Sequence, residues 1–247
     1  MDRKIRVGAV SYLNTKPLIY GFEKGMMKDD IELIIDYPAN IAQQLVDDEI
    51  DIGLVPVAII PKLKNYHIIG DYCISCKGKV ASVCLFSEVS INEIKFILLD
   101  YQSRTSVALL KVLLKEYWKI TPVLKEGTAN YQTSIKGTTA GLVIGDRAFH
   151  QRLKSTYIYD LGEAWQQLTG LPFVFAAWIS NKQLPAHFIT GFNAANKVGC
   201  DDIPTIVSLH PFKEYDLQKY YTENIIFKPK YDMLNVITLF LEKLKAL

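Results

Sequence analysis

Residues 5–18, IRVGAVSYLNTKPL, join a short apolar run to a polar loop and a proline. The run Ile5–Val10 has the length and composition of a buried strand. A helix can begin around Pro17, because proline lacks only a backbone N–H that is unpaired in a first helical turn. The loop Ser11–Thr15 is therefore predicted to lie where a strand ends and a helix begins.

Two further strands complete a first unit. Ile31–Tyr37 is predicted to be the second strand, Asn40 to cap the helix after it, and Ile50–Val55 to be the third strand, ending at Pro56. Short apolar runs that alternate with stretches of helical period are typical of a mostly parallel sheet covered by helices. The fold class predicted from this pattern is α/β.

A second unit of the same order begins at Phe96–Asp100, which is followed by the loop Tyr101–Ser103 and an apolar helix. Its later strand, Ala140–Gly145, resembles Ile52–Val55 of the first unit. Two similar α/β units predict two lobes that face one another. The loops after the strand ends would then meet in a cleft between the lobes.

The chain is predicted to cross between the lobes at Val80–Phe86 and at Phe173–Trp178. Lobe one then comprises residues 1–85 and 177–247, and lobe two comprises residues 86–176. No Gly/Ser-rich or Pro-rich linker separates the halves, so closure is expected to be a hinge in paired strands. Residues after 180 are expected to form four packing helices, at Ala186–Val198, Ile203–Leu209, Leu217–Ile226 and Tyr231–Leu247.

Composition excludes several classes of protein. The chain has 247 residues, 49% of them hydrophobic and 22% charged, which is typical of a compact globule. Its net charge of +2 disfavours nucleic acid and anionic membranes as partners. The apolar stretch Leu171–Ile179 is far shorter than the roughly 20 residues that span a bilayer. Met1–Arg6 lacks the features of an export signal, so a cytoplasmic protein is expected.

Two polar loops are candidate anion sites. Ser11, Asn14 and Thr15 precede the first predicted helix, and Ser103–Ser106, which includes Arg104, begins the helix of the second unit. Free N–H groups and short hydroxyl side chains at a helix start bind carboxylates or phosphates. The alternatives are ordinary helix caps and, for Arg104, a solvent-exposed cation. Two such loops on opposite walls of a cleft favour a small ligand with two anionic groups.

Other polar residues carry weaker indications. Asp146 follows a predicted strand and is either an acid–base group or the cap of the helix Arg147–Leu153. Cys73 and Cys76 have the spacing of half a zinc site, but neither a second cysteine pair nor a spaced histidine pair completes it. The four cysteines are expected to be reduced. Neither a metal nor a cofactor is predicted.

Five segments together carry a resemblance to a known family. They are VSYLNTKPL at 10–18, DIGLVP at 51–56, SRTSV at 103–107, DLGEAW at 160–165 and TGLPFV at 169–174. In these segments the chain resembles the chorismate dehydratases of the futalosine route to menaquinone. The resemblance covers nearly the whole length, including Tyr221–Ile225.

The resemblance implies a type II periplasmic-binding-protein-like fold that acts as an enzyme in the cytoplasm. The implied reaction is loss of water from chorismate, a dianion, to give 3-(1-carboxyvinyloxy)benzoate. The residues that it places against substrate are Ser11, Asn14, Ser82, Thr105 and Ser106. Asn14 is the first candidate for a catalytic contact, and the proton acceptor is either a substrate carboxylate or Asp146.

The chain departs from the family pattern at one position, and two other functions are alternatives to the dehydratase. Lys79 stands where the family commonly has proline, and with Lys77 it adds cations near the expected site. A sister enzyme of similar fold has a histidine where this chain has Gly145–Asp146, which favours the dehydratase. The rivals are a solute-binding protein, disfavoured by the N-terminus, and a regulator's effector domain, which would need a DNA-binding motif. The sequence makes no prediction of oligomeric state.

Overall fold

The computed structural model describes residues 3–247, which form two five-stranded sheets flanked by helices. Met1 and Asp2 lie outside the described residues. They are the first two residues of the segment Met1–Arg6, which was expected not to be an export signal. The strands are β1 Ile5–Val10, β2 Ile31–Asp36, β3 Ile52–Pro56, β4 His67–Cys76, β5 Val83–Ser87, β6 Phe96–Leu99, β7 Val123–Glu126, β8 Thr139–Ile144, β9 Tyr157–Asp160 and β10 Phe173–Ser180.

The helices cover both faces of the sheets. They are α1 Lys16–Glu23, α2 Pro38–Val46, α3 Arg104–Leu113, α4 Asp146–Arg152, α5 Leu161–Thr169, α6 Ala186–Asp201, α7 Ile203–Leu209, α8 Leu217–Lys219 and α9 Met233–Lys245. Two π-helical turns, Leu114–Trp118 and Tyr220–Asn224, extend α3 and α8. Among residues 3–247, no helix is both long enough and apolar enough to cross a bilayer.

The two sheets have the same topology. The first has the strand order β2-β1-β3-β10-β4 and the second has the order β7-β6-β8-β5-β9. In each, three strands are parallel, and a strand from elsewhere in the chain, β10 or β5, joins them in antiparallel orientation. The prediction of two similar α/β lobes is confirmed.

The chain changes sheets between strands and not within them. β5 follows β4 through residues 77–82, and β10 follows β9 through α5 and residues 170–172. The boundaries expected at 85/86 and 176/177 fall inside β5 and β10. Each of these strands belongs to one sheet, because its whole hydrogen-bond ladder is made there. Both chain connections between the lobes are therefore short segments that flank a strand.

The start of α2 corrects one detail of the prediction. Asn40 was expected to cap this helix, but the helix begins at Pro38 and Tyr37 is its N-cap residue. Proline suits a first helical turn, where its missing N–H costs no hydrogen bond. Asn40 lies inside the helix, and its amide donates to the carboxylate of Asp36 at 3.0 and 3.1 Å.

Close packing of α1 on α6 fixes the loop that precedes α1. A Cβ on Gly21 would lie 2.2 Å from the carbonyl oxygen of Ala195, and one on Gly199 would lie 2.2 Å from that of Pro17. Each helix thus approaches the other through a glycine that has no side chain to separate them. The polar loop at 11–15 is therefore attached to a rigid helix pair of the first lobe.

Asp51, immediately before the central strand β3 of the first sheet, accepts hydrogen bonds from three cationic side chains. Arg3 donates to its carboxylate at 2.6 and 2.8 Å, Lys182 at 2.7 Å and Arg6 at 3.4 Å. Burial alone would raise the pKa of Asp51, but these hydrogen bonds outweigh it and hold the pKa well below its ordinary value. The carboxylate joins the start of β1 to the segments beside β3 and β10.

Asp51→Asn is expected to be less stable than wild type at pH 7, with a difference that shrinks as the pH falls below about 4. A carboxyl group whose pKa is lowered by folding stabilises the fold above its unfolded-state pKa and loses that contribution in acid. Urea unfolding at several pH values measures the effect. Asp201→Asn, which alters an exposed pair with Lys197, is the control and should change little. A pH-independent difference for Asp51→Asn would contradict the assignment.

Candidate active site

A cavity of about 70 Å³ lies between the two lobes in this closed arrangement. This volume is well below the roughly 300–1,000 Å³ that is usual for small-molecule sites, so the lobes must move apart before a ligand of that size can bind. Strand ends supply apolar walls, and the loops beyond them supply polar groups. The lining residues are Val10, Tyr12, Asn14, Pro38, Leu54, Pro56, Ile74, Val80, Ser82, Val83, Ser103, Thr105, Ser106, Ile144, Gly145, Phe175 and Ala176. None of these described residues is charged.

The loop after β1 contributes one of its expected ligand contacts. Asn14 lines the cavity from the short 3₁₀ turn Leu13–Thr15, which leads directly into α1. The Thr15 hydroxyl is 3.4 Å from Asn14 Oδ1 and is itself buried. Ser11, the other expected residue of this loop, is solvent-exposed and is not part of the cavity wall. The amide of Asn14 is thus available to a ligand, whereas the hydroxyl of Tyr12, which also lines the cavity, is bonded to Gln102.

The start of α3 contributes three hydroxyl groups. Ser103, Thr105 and Ser106 all line the cavity. Ser103 is the N-cap: its Oγ accepts the Ser106 N–H at 3.1 Å and lies 2.8 Å from Ser106 Oγ. Thr105 Oγ1 accepts the backbone N–H of Ala58, in the opposite lobe, at 3.1 Å.

Arg104 is placed away from the cavity. Its guanidinium lies 3.4 Å from Gln43 Oε1 on α2, across the mouth of the cleft, and the residue is half-buried. Successive helical residues differ by about 100° in direction, so Arg104 points elsewhere than its neighbours Thr105 and Ser106. Arg104 is not part of the cavity wall, and its expected contact with a ligand stays a prediction.

Ser82 lies just before β5, in the segment that connects the lobes. It is 1% exposed and lines the cavity, and its Oγ accepts a hydrogen bond from the hydroxyl of Tyr220 at 2.7 Å. Tyr220 was missed by the sequence analysis, which treated its helix as a packing element. The contact joins residues 138 positions apart, so no local spacing could have revealed it.

Three cavity hydroxyls share one feature: each oxygen already accepts a hydrogen bond from the protein. Ser82 accepts from Tyr220, Thr105 from Ala58, and Ser106 from Ser103. A hydroxyl has a single proton, and a hydroxyl oxygen that accepts one hydrogen bond becomes a better donor. Within the described part of the chain, these hydroxyl groups are therefore arranged to donate hydrogen bonds to a ligand. Such a site suits acceptor-only groups such as carboxylates.

Asp146 joins the lobes at the start of α4. Its Oδ1 accepts the backbone N–H of Leu13, in the opposite lobe, at 3.3 Å. Burial raises the pKa of Asp146, although this hydrogen bond opposes the shift. The N-cap residue of α4 is Gly145 and not Asp146, so the capping interpretation is wrong. Asp146 is not part of the cavity wall, whereas Gly145 is.

Gly145 brings the lobes close together. Its φ of 61° with ψ of −147° is accessible essentially only to glycine. A Cβ at this position would lie 3.3 Å from the ring of Tyr12, and the Gly145 N–H donates to the carbonyl oxygen of Ser82 at 2.8 Å. The glycine thus allows Tyr12 of the first lobe to pack on the start of α4.

Further contacts hold the lobes in a closed arrangement. The Tyr12 hydroxyl donates to Gln102 Oε1, in the loop after β6. Arg147 donates to the same oxygen at 2.7 Å and to the buried carboxylate of Asp100 at 2.8 and 3.1 Å. Burial is the first influence on the pKa of Tyr12 and raises it, so its hydroxyl stays protonated. The Tyr12–Gln102 hydrogen bond therefore joins the lobes, and Arg147 holds Gln102 in place within the second lobe.

The connecting segment 79–82 is fixed by a buried carboxylate. Asp160 accepts the N–H groups of Val80 and Ala81 at 3.1 and 2.8 Å. It also accepts those of Gly162 and Glu163, at the start of α5, at 3.0 and 3.2 Å. Asp160 is 6% exposed. One side chain therefore caps a helix and holds the segment that carries Ser82.

The two lysines near this segment lie outside the cavity. Lys77 and Lys79 are both exposed, and neither lines the cavity wall. Lys79 Nζ lies 3.7 Å from Glu163 Oε1 on α5, and the Lys79 carbonyl accepts the side-chain amide of Asn224 at 3.0 Å. Both contacts thus involve Lys79, which lies three residues before Ser82.

The cysteines and acidic residues form no metal centre in the described residues. No group of three or more His, Cys, Asp or Glu side chains there is close enough to hold an ion. All four cysteines are free, and burial raises the pKa of the Cys73 thiol to about 12. Thiols with such pKa values are protonated and unreactive at neutral pH.

Comparison with known proteins shows the family to which the chain belongs. A family model described as menaquinone biosynthesis matches residues 5–245. A chorismate dehydratase from Thermus thermophilus is 28% identical over 203 residues, which cover 72% of this chain and 70% of that protein.

Solved structures extend the comparison to the fold. A protein from Archaeoglobus fulgidus has a TM-score of 0.72 at 15% identity, covering 98% of this chain and 97% of that one. A Candida albicans protein described as having the generic periplasmic binding protein fold has a TM-score of 0.66 at 12% identity, covering 99% and 90%. At these identities the likeness shows the fold alone, and the chain has that two-lobed fold.

Proposed function

Because the chain belongs to the menaquinone biosynthesis family, we propose that it is a chorismate dehydratase. The proposed reaction eliminates water from chorismate to give 3-(1-carboxyvinyloxy)benzoate, in the futalosine route and in the cytoplasm. The observation that carries the proposal is the uncharged cavity, in which an amide and several donor hydroxyls from both lobes face one space. Support also comes from the Thermus relative.

For this reaction the protein must orient chorismate and stabilise the negative charge that develops when the proton leaves. The hydrogen that is lost sits on the ring carbon that bears the enolpyruvyl ether. It is acidified through the adjacent double bond, which is conjugated to the ring carboxylate. When this proton leaves, the C–H electron pair forms a ring double bond and the neighbouring hydroxyl is expelled, taking up a proton to become water. The ring becomes aromatic, which makes the elimination strongly favourable.

The cavity residues fit these requirements. Negative charge that develops on the ring spreads to the ring carboxylate, where fixed donors stabilise it in a site that excludes water. Asn14 and Ser82 offer such donors from one side, and Thr105 and Ser106 offer them from the other. A ligand with two carboxylates can therefore be held at both ends, which fixes the reacting carbon.

The position of Asp146 favours a substrate carboxylate as the proton acceptor. Asp146 lies outside the cavity wall, and its carboxylate is engaged by the Leu13 N–H. A base must come within hydrogen-bond reach of the proton that it removes. We therefore assign Asp146 to the contact between the lobes.

Asp146→Asn is expected to retain chorismate turnover within about fivefold of wild type. Asparagine keeps an oxygen that can accept the Leu13 N–H but cannot act as a base. Steady-state kinetics measure the effect, with Asp216→Asn, an exposed helix cap of the C-terminal part, as the control. Loss of a general base would cost about 10²–10⁴-fold. A loss of that size in a folded variant would make Asp146 the proton acceptor.

The first experiment mixes the purified protein with chorismate, without added metal or cofactor, and follows the ultraviolet spectrum and the product mass. Loss of one water with formation of the substituted benzoate is the expected result. Tight binding of chorismate without turnover would instead favour the solute-binding alternative. Neither binding nor turnover would overturn the proposed substrate.

A further inference from the structure

A buried pair of hydroxyl groups lies behind the cavity wall. Tyr220 and Ser82 are each 1% exposed, and their oxygens are 2.7 Å apart. Ser82 lines the cavity, whereas Tyr220 does not. Tyr220 therefore reaches a ligand only through Ser82.

The direction of this hydrogen bond decides what Ser82 offers to a ligand. A phenol is a stronger hydrogen-bond donor than an aliphatic alcohol, so Tyr220 donates and Ser82 accepts. Burial raises the pKa of Tyr220 far above its ordinary value, so the phenol keeps its proton at any working pH. With one lone pair occupied, the Ser82 proton is left to point into the cavity. In the opposite orientation, serine lone pairs would face the ligand and repel a carboxylate.

Aromatic packing holds the Tyr220 ring in place. The ring meets Phe149 of α4 edge-on, with centroids 5.0 Å apart, and lies 5.5 Å from the ring of Tyr221. The π-helical turn Tyr220–Asn224 adds a residue to the helical turn and so sets the direction in which Tyr220 projects. The hydroxyl is thus positioned before any ligand binds.

We propose that Tyr220 is a positioning residue, which orients the Ser82 hydroxyl as a donor to a carboxylate of the substrate. The proposal rests on the proposed function, because chorismate is the ligand whose carboxylate Ser82 would bind. It predicts that the effect of Tyr220 on binding and turnover passes through Ser82.

The test is a double-mutant cycle with Tyr220→Phe, Ser82→Ala and the double variant. Tyr220→Phe is expected to lower kcat/KM for chorismate about tenfold, mainly through KM, because a misoriented donor weakens carboxylate binding. In the Ser82→Ala background the same change is expected to cost less than about twofold. Tyr117→Phe is the matched control: it removes a hydroxyl that bonds Gln167, from a tyrosine that also lies in a π-helical turn but not in the cavity wall, and it should leave kcat/KM unchanged.

Several outcomes would overturn the inference. An equal loss from Tyr220→Phe with and without Ser82 would show that Tyr220 acts through packing, and a wild-type kcat/KM would show that it does not act at all. Either result, obtained with a wild-type protein that dehydrates chorismate, leaves the proposed function intact. If the wild type binds chorismate without turnover, the cycle is measured on Kd with the same criteria. A wild type that does neither overturns both proposals.

Discussion

Asn14→Ala is expected to lower kcat for chorismate by about 10²–10³-fold, the usual effect of removing one preorganised donor from a developing oxyanion. The reason is the lack of charge in the cavity wall: with no described cation lining it, each neutral donor carries a large share of the stabilisation. Asn14 is also held firmly, since it lies in a turn fused to α1, which packs tightly on α6.

Two further variants sharpen this prediction. Asn14→Asp has nearly the same shape but places a negative charge beside a dianion, so its activity should fall at least as far as that of Asn14→Ala. Asn235→Ala, on the exposed face of α9, is the control and should have wild-type kinetics. If folded Asn14→Ala kept more than half of the wild-type kcat, Asn14 would not be a catalytic residue.

Asp160→Ala is expected to lower the free energy of unfolding by about 3 kcal/mol or more, because it leaves four backbone N–H groups without their acceptor. For a chain of this size, that corresponds to a fall in Tm of about 6–12 °C. Activity should fall as well, since the segment that carries Ser82 loses its anchor. Thermal and urea unfolding measure the change in stability.

Asp232→Ala provides the matched control for this effect. Asp232 also caps a helix and accepts two backbone N–H groups, from Leu234 and Asn235, but it is exposed. Its loss should cost about 1 kcal/mol, as for other helix caps. Equal destabilisation by the two variants would mean that the contacts of Asp160 with residues 80 and 81 contribute nothing.

The sequence predicted those parts of the site that depend on local order. A strand followed by a polar loop and a helix placed Asn14, Thr105 and Ser106 at the cleft, and the family resemblance added Ser82; all four line the cavity. Ser11 and Arg104 do not. Each is adjacent to a residue that does, and the direction of a side chain changes with every step along a strand or helix.

The missed residues depend on contacts between distant segments. Asp160 and Glu163 have the spacing of a helix start, which the sequence could have revealed. The hydrogen bonds of Asp160 to Val80 and Ala81, however, join segments about 80 residues apart. The hydrogen bond of Tyr220 to Ser82 joins segments 138 residues apart. Only the folded arrangement of the sheets and the C-terminal helices brings these segments together, so no periodicity or motif marks them in advance.

The position of β10 has a consequence for the order in which the protein folds during synthesis. β10 lies inside the first sheet, between β3 and β4, yet it is the last strand to be made. The second sheet, by contrast, is encoded by one continuous segment, residues 83–160. As the chain leaves the ribosome, the second lobe can thus assemble while the first still has a gap in its sheet. The N-terminal lobe, although made first, is completed last.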